Sequence, residues 1–172
     1  MNRRQLNVAA LAAVGVAAAA GGFWIRQRKE GAPADDPLWS AKFETPAGTP
    51  LAMSSFYGKP LVLNFWATWC APCVKEMPQL DRFHREYAAQ GWQVLGLAID
   101  NANAVKGFLA KLPVAFPIAL AGMEGADLGR TLGNLQGGLP FTAVFDSKGA
   151  AVHHKSGETS YEELVGWVRQ FG

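Results

Sequence analysis

The sequence predicts an α/β domain in which a mixed β-sheet is flanked by helices. Two near-continuous apolar runs carry that reading first. Residues 61–66 (LVLNFW) and 94–99 have the pattern of central strands buried on both faces. Helical periodicity lies between and beyond them: Val74, Met77, Leu80, Phe83 and Tyr87 recur at helical spacing over residues 72–90. Val105, Phe108, Leu109 and Leu112 mark a second helix face, which Pro113 ends. The chain then closes with a hairpin signal and a capped helix. Strands that alternate with helices in this order build a sheet with helices packed on it.

The remaining elements follow from shorter signals. Residues 39–44 and 49–53 read as an extra strand pair around the Pro46-Ala47-Gly48 turn. A short strand is expected at 116–120, and Leu128, Leu132 and Leu135 mark a short helix in a Gly-rich stretch. Residues 141–145 and 151–155 flank Asp146-Ser147-Lys148-Gly149, a hairpin turn. Ser160 with Glu163 three residues on is a capping box, and the helix it opens is expected to bury Leu164, Val168 and Phe171.

With 172 residues, 49% of them apolar, the chain can build one core of ordinary size and not two enzyme-sized domains. Two cysteines exclude a disulfide-rich scaffold. Charge is unevenly spread: residues 1–30 carry five basic side chains against Glu30, while the rest has a slight acidic excess and no basic patch. A nucleic acid is therefore not an expected partner. Residues 5–25 form an uncharged stretch between arginines, long enough as a helix to cross a bilayer, with Trp24 and the basic Arg26, Arg28 and Lys29 suited to an interface. Ala18-Ala19-Ala20 also offers a signal-peptide cleavage site, and Arg3-Arg4 loosely resembles a twin-arginine export signal. Residues 1–29 thus read as a membrane anchor or signal segment, 30–37 as a linker and 38–172 as the domain. Each of these readings places the domain outside the cytoplasm.

The chemistry is concentrated in Trp69-Cys70-Ala71-Pro72-Cys73, where the first buried strand gives way to a helix. A thiol at a helix N-terminus faces unpaired backbone N–H groups and the positive end of the helix dipole, and both favour the thiolate. Cys70, nearer the open end, is the expected attacking thiol; Cys73, one turn in, is the expected resolving thiol. Pro72 lacks an N–H that would be unpaired there anyway. A half zinc site competes with this reading, but there is no second cysteine pair, and adjacent His153 and His154 point to opposite strand faces. A purely structural disulfide competes too, yet so short a loop constrains little of the unfolded chain.

At these residues the sequence resembles a known family. FWATWCAPC (65–73) after an apolar strand looks like the thioredoxin superfamily. The longer LVLNFWATWCAPCVKEMP (61–78), behind an N-terminal anchor and an extra strand pair, resembles its exported TlpA/ResA/CcmG-type thiol–disulfide oxidoreductases. The resemblance implies a thioredoxin-like fold and a redox-active Cys70–Cys73 disulfide with no cofactor and no metal. Pro78 matches the proline that kinks the first helix. Pro140, in Gly138-Leu139-Pro140, matches the cis-proline loop that faces the cysteines and receives an extended substrate, with Leu139 beside it. Trp69 is expected to cover the site or to be a core residue.

Two departures matter. Asn64 stands where cytoplasmic thioredoxins carry a buried Asp, and an amide cannot take the resolving thiol's proton. Glu76, on the helix face of Cys73, matches an acid of the envelope branch and is the candidate proton acceptor; a solvated surface glutamate is the alternative. Ala71 gives Cys70 no hydrogen bond, which leans toward a reductant. The expected function is reduction of protein disulfides, as in cytochrome c maturation, by a periplasmic monomer recharged by a transmembrane thiol donor. Alternatives are a disulfide-forming oxidant, a redoxin-type peroxidase and a copper(I)-holding module. The peroxidase would want Thr at position 67, where Ala67 stands with Thr68 out of register. The copper module lacks a Met or His cluster beside the thiols.

Overall fold

The computed structural model describes residues 36–171 apart from Met123, so the expected anchor or signal at 1–29 lies outside the described residues. A seven-stranded sheet forms the centre, built from β1 (Lys42–Glu44), β2 (Pro50–Ala52), β3 (Leu61–Trp66), β4 (Gln93–Ala98), β5 (Ile118–Leu120), β6 (Phe141–Phe145) and β7 (Ala151–Ser156). Its spatial order is β2-β1-β5-β4-β3-β6-β7. β3, β4 and β5 pair in parallel, and β6 runs antiparallel to β3, so the sheet is mixed. The helices are α1 (Pro37–Ser40), α2 (Ala71–Tyr87), α3 (Ala102–Lys111), α4 (Glu124–Thr131) and α5 (Tyr161–Phe171).

Strand β3 divides the core. Val62 and Trp66 point into one apolar cluster, filled out by Met77, Leu80 and Phe83 of α2 and by Leu164 and Trp167 of α5. Leu61, Leu63 and Phe65 point into the other, with Trp39, Met53 and Phe141. This is the period-two alternation of a strand covered on both faces. Asn64 lies within the first face, so the one polar residue of β3 is aimed at α2.

Most sequence-predicted elements appear within a residue or two of their expected ends. The N-terminal one differs. Residues 37–40 form a helical turn instead of the first part of a strand, because the Asp36 carboxylate accepts hydrogen bonds from the N–H groups of Leu38 (2.9 Å) and Trp39 (3.3 Å). Asp36 and Pro37 therefore belong to the domain and not to the linker at 30–37. The turn swings Trp39 into the core, where its indole meets Tyr57 and Phe145 edge-on at 5.3 and 5.4 Å and donates to the Gly149 carbonyl at 3.1 Å. Leu135 also departs from expectation: α4 ends at Thr131, and Leu135 stands 82% exposed on the connector beyond it. In α5 the buried residues are Leu164 and Trp167, while Val168 and Phe171 pack only partly. The capping box forms as expected, with Ser160 N–H donating to Glu163 and Glu163 N–H to Ser160.

Gly149 shows how tightly the N-terminal turn is held. Its φ of +79° is a left-handed conformation, and a Cβ there would lie 2.5 Å from the Tyr57 ring and 2.9 Å from the Trp39 indole nitrogen. Gly149→Ala combines backbone strain with overpacking and is expected to lower the unfolding free energy by about 1–3 kcal/mol. Urea denaturation checks this, and an unchanged midpoint would refute it.

Candidate active site

The redox pair stands where β3 hands over to α2. Cys70 is the N-cap residue of α2 in an extended conformation, and Ala71 and Pro72 begin the helix. Cys70 and Cys73 are joined by a disulfide. Cys70 Sγ also accepts a hydrogen bond from the Cys73 backbone N–H at 3.3 Å, the kind of helix-terminus contact that stabilises a thiolate. The two sulfur residues differ in access: Cys70 is 6% exposed and Cys73 fully buried. Of the two, only Cys70 keeps any exposed surface.

Glu76 lies one turn beyond Cys73, and it is buried rather than a solvated surface residue. Its Oε1 accepts a hydrogen bond from the Asn64 side-chain amide at 2.7 Å, and its Oε2 accepts one from the Thr159 backbone N–H at 2.7 Å. The same Asn64 nitrogen donates to the Thr142 hydroxyl at 3.1 Å, and the Thr142 and Thr159 hydroxyls are 3.4 Å apart. Burial pushes the Glu76 carboxyl up to about 7, against the pull of the Thr159 and Asn64 hydrogen bonds, which favour the anion. Asn64 is therefore no substitute for a proton-accepting Asp; it holds the residue that can be one. Thr142 and Thr159 were not singled out in the sequence. Nothing local marks them, since they come together with Glu76 only through the pairing of β6 with β3 and the packing of the segment before α5.

On the substrate side, the Leu139–Pro140 peptide is cis, as the resemblance implied. Trp69 is 70% exposed, which excludes the core reading. Trp69 and Leu139 both line one open cleft of about 620 Å³, with Ile99, Asp100, Gly122 and Arg130. Another apolar cleft, about 580 Å³ between residues 45–47 and α3, shares no lining residue with the redox loop. Pro78 stands inside α2, where its missing N–H leaves the Val74 carbonyl without a helical donor. His153 stacks on Phe171 and lies tilted against Trp167, whereas His154 packs against Phe141 from the other face of β7. Among the described residues, no group of three or more His, Cys, Asp or Glu is placed to hold a metal ion.

A family model described as Redoxin matches residues 33–165. The chain belongs to the redoxin family. Within it the chain is of the TlpA/ResA/CcmG type of the thioredoxin superfamily, and it is a thiol–disulfide oxidoreductase. It is 32% identical over 124 residues to the thiol-disulfide oxidoreductase ResA of Bacillus thuringiensis subsp. konkukian, covering 72% of this chain and 69% of that one. Among solved structures it is similar to a thioredoxin-related protein from Neisseria meningitidis serogroup B, with a TM-score of 0.67, 30% identity and coverage of 74% and 96%. It is also similar to a secreted Mycobacterium tuberculosis disulfide oxidoreductase described as homologous to E. coli DsbE, with a TM-score of 0.64, 25% identity and coverage of 78% and 98%.

The raised Glu76 carboxyl has a consequence for stability. A carboxyl that ionises near 7 when folded and near 4.5 when unfolded makes the folded state bind the extra proton between those values. Stability is then greatest below about pH 4.5 for this group and declines as the pH rises to about 7, by about 3 kcal/mol in all. Glu76→Gln is expected to flatten that slope. Urea denaturation from pH 4.5 to 8 tests both, and equal slopes in the two proteins would refute the assignment.

Proposed function

We propose that this oxidoreductase reduces protein disulfides outside the cytoplasm. The observation that carries the reading is the pairing of a cysteine at a helix N-terminus, which keeps slight exposure, with a fully buried one, one turn from a carboxyl poised near neutrality. In the reduced protein, Cys70 thiolate attacks one sulfur of a substrate disulfide, and the other substrate sulfur leaves as a thiolate. Cys73 gives its proton to Glu76 and attacks Cys70 Sγ, which forms the Cys70–Cys73 disulfide and releases the substrate's second thiol. Electrons balance: one disulfide is reduced and one is formed.

Several observations support the reductive direction and the location. Ala71 supplies no donor that would hold Cys70 as a thiolate, the arrangement that makes a strong oxidant. The ResA relatives are named thiol-disulfide oxidoreductases, and one similar solved structure is described as secreted. The basic and apolar pattern of residues 1–30 fits export with residues 5–25 held in the membrane. A reductant in an oxidising compartment needs recharging, which calls for a transmembrane thiol donor. The substrate class proposed is proteins with Cys-x-x-Cys pairs, such as an apocytochrome c, with the open cleft lined by Trp69 and Leu139 as the candidate docking place for an extended segment. Two thiols closing on one another favour this dithiol cycle over a peroxidase or a copper site.

The reduction potential of the full chain decides the direction. Equilibration in thiol redox buffers is expected to give a value near or below about −230 mV; one near about −120 mV would make the protein an oxidant. Cys73→Ser is expected to trap substrate proteins as mixed disulfides on Cys70 that dithiothreitol releases. Absence of any trapped species would count against a protein substrate.

A further inference from the structure

Thr68 and Asp100 belong to no part of the cycle just described, yet they share a set of hydrogen bonds next to the redox loop. Asp100 follows β4, and its Oδ2 accepts from both the backbone N–H of Thr68 at 3.0 Å and the Thr68 hydroxyl at 2.6 Å. Its Oδ1 accepts from the Asn101 N–H at 2.7 Å, and Asn101 in turn caps α3 by accepting from Ala104 N–H at 3.0 Å. Two residues beyond Thr68, the Cys70 N–H donates to the Ala67 carbonyl at 3.2 Å and closes a tight turn over residues 67–70. The redox loop is thus tied at one end to the β4–α3 junction and at the other to the start of α2. Asp100 also lines both the cleft that holds Trp69 and Leu139 and the adjoining cleft that reaches β1.

We propose that Asp100 is a positioning residue for the attacking thiol: through Thr68 it clamps the 67–70 turn, so that Cys70 stays on the N-terminus of α2 throughout the redox cycle. In the oxidised protein the disulfide itself holds Cys70 against the helix. Reduction removes that covalent tie and leaves the turn to its hydrogen bonds: the Cys70 N–H to Ala67, the Val74 N–H to the Cys70 carbonyl, and the two from Thr68 that, among the described residues, alone anchor it to the β4–α3 junction. Bonds to an ionised acceptor are the strong kind, and a carboxylate carrying two donors from one residue fixes both its distance and its orientation. Burial disfavours the Asp100 anion, but the bonds from Thr68 and Asn101 outweigh it and hold the carboxyl below the usual Asp range. The clamp is therefore set at neutral pH, where thiol–disulfide exchange runs.

Clamp and charge act on Cys70 with opposite signs. A negative charge near Cys70 disfavours its thiolate, so loss of the charge alone would make the thiol more reactive. Loss of the clamp lets Cys70 drift from the helix N-terminus, where the thiolate is stabilised, and makes it less reactive.

The test is the pH profile of Cys70 alkylation by iodoacetamide, in the full-length chain carrying Cys73→Ser so that one thiol reports. Asp100→Ala is expected to slow alkylation near pH 6 about tenfold, a rise of about one unit in the thiol's apparent pKa. Thr68→Val, which removes the hydroxyl bond alone, is expected to move the profile in the same direction by less. Asp100→Asn keeps an oxygen for Thr68, and Thr68→Ser keeps the hydroxyl; both are expected to alkylate within about twofold of the parent, or faster for Asp100→Asn. An unchanged or faster Asp100→Ala profile overturns the proposal, and so does an Asp100→Asn profile as slow as that of Asp100→Ala. Urea midpoints are read for every variant. If Asp100→Ala fails to fold, the contrast between Thr68→Val and Thr68→Ser decides, and equal profiles in that pair overturn the clamp. Alkylation needs no substrate protein, so the outcome is independent of whether the chain reduces or oxidises its partners.

Discussion

The shared hydrogen bonding of the Glu76 carboxylate is the constraint on which the rest of the site depends. A carboxyl without solvent is costly to ionise, and here each oxygen has one donor from a different part of the fold: the Asn64 amide on β3 and the Thr159 backbone ahead of α5. Through Asn64 the same network reaches Thr142 on β6, two residues beyond the cis-proline. Sheet, α2 and C-terminal segment therefore meet at one ionisable group. Removing a single donor would leave the others aimed at a carboxyl less able to hold its charge, which is why Asn64 is buried without being apolar.

The same geometry sets the two cysteines apart. The helix N-terminus can stabilise one sulfur well, and Cys70, as N-cap, receives it. Cys73 is enclosed by apolar neighbours such as Val62 and Met77 and has no such help. The two sulfurs thus differ in burial and in hydrogen bonding, and the buried Glu76 carboxyl stands one helical turn beyond the enclosed one.

Much of this was legible in the sequence, and the reason is locality. The cysteine pair, Pro72 and Glu76 fall within seven residues of one helix, and β3 and β4 declare themselves by unbroken apolar runs. The helical turn at Pro37–Ser40 was missed because its four residues are too few for periodicity, although Asp36 followed by Pro37 is a helix-start pattern. Leu135 misled because apolar character at helical spacing does not show where a helix stops. Thr142, Thr159, Thr68 and Asp100 are ordinary polar residues in sequence. They acquire roles only when strands far apart in the chain are laid side by side, and no spacing rule within one segment reports that.

That distance along the chain has its own consequence. Thr159 follows Glu76 by 83 residues, and Thr142 follows Asn64 by 78. A ribosome therefore delivers the two sulfurs long before it delivers the groups that surround the carboxyl. A nascent or truncated chain that stops short of residue 159 carries both thiols and lacks the environment that differentiates them. The order of synthesis thus separates the presence of the cysteine pair from its competence, and the last third of the chain converts one into the other.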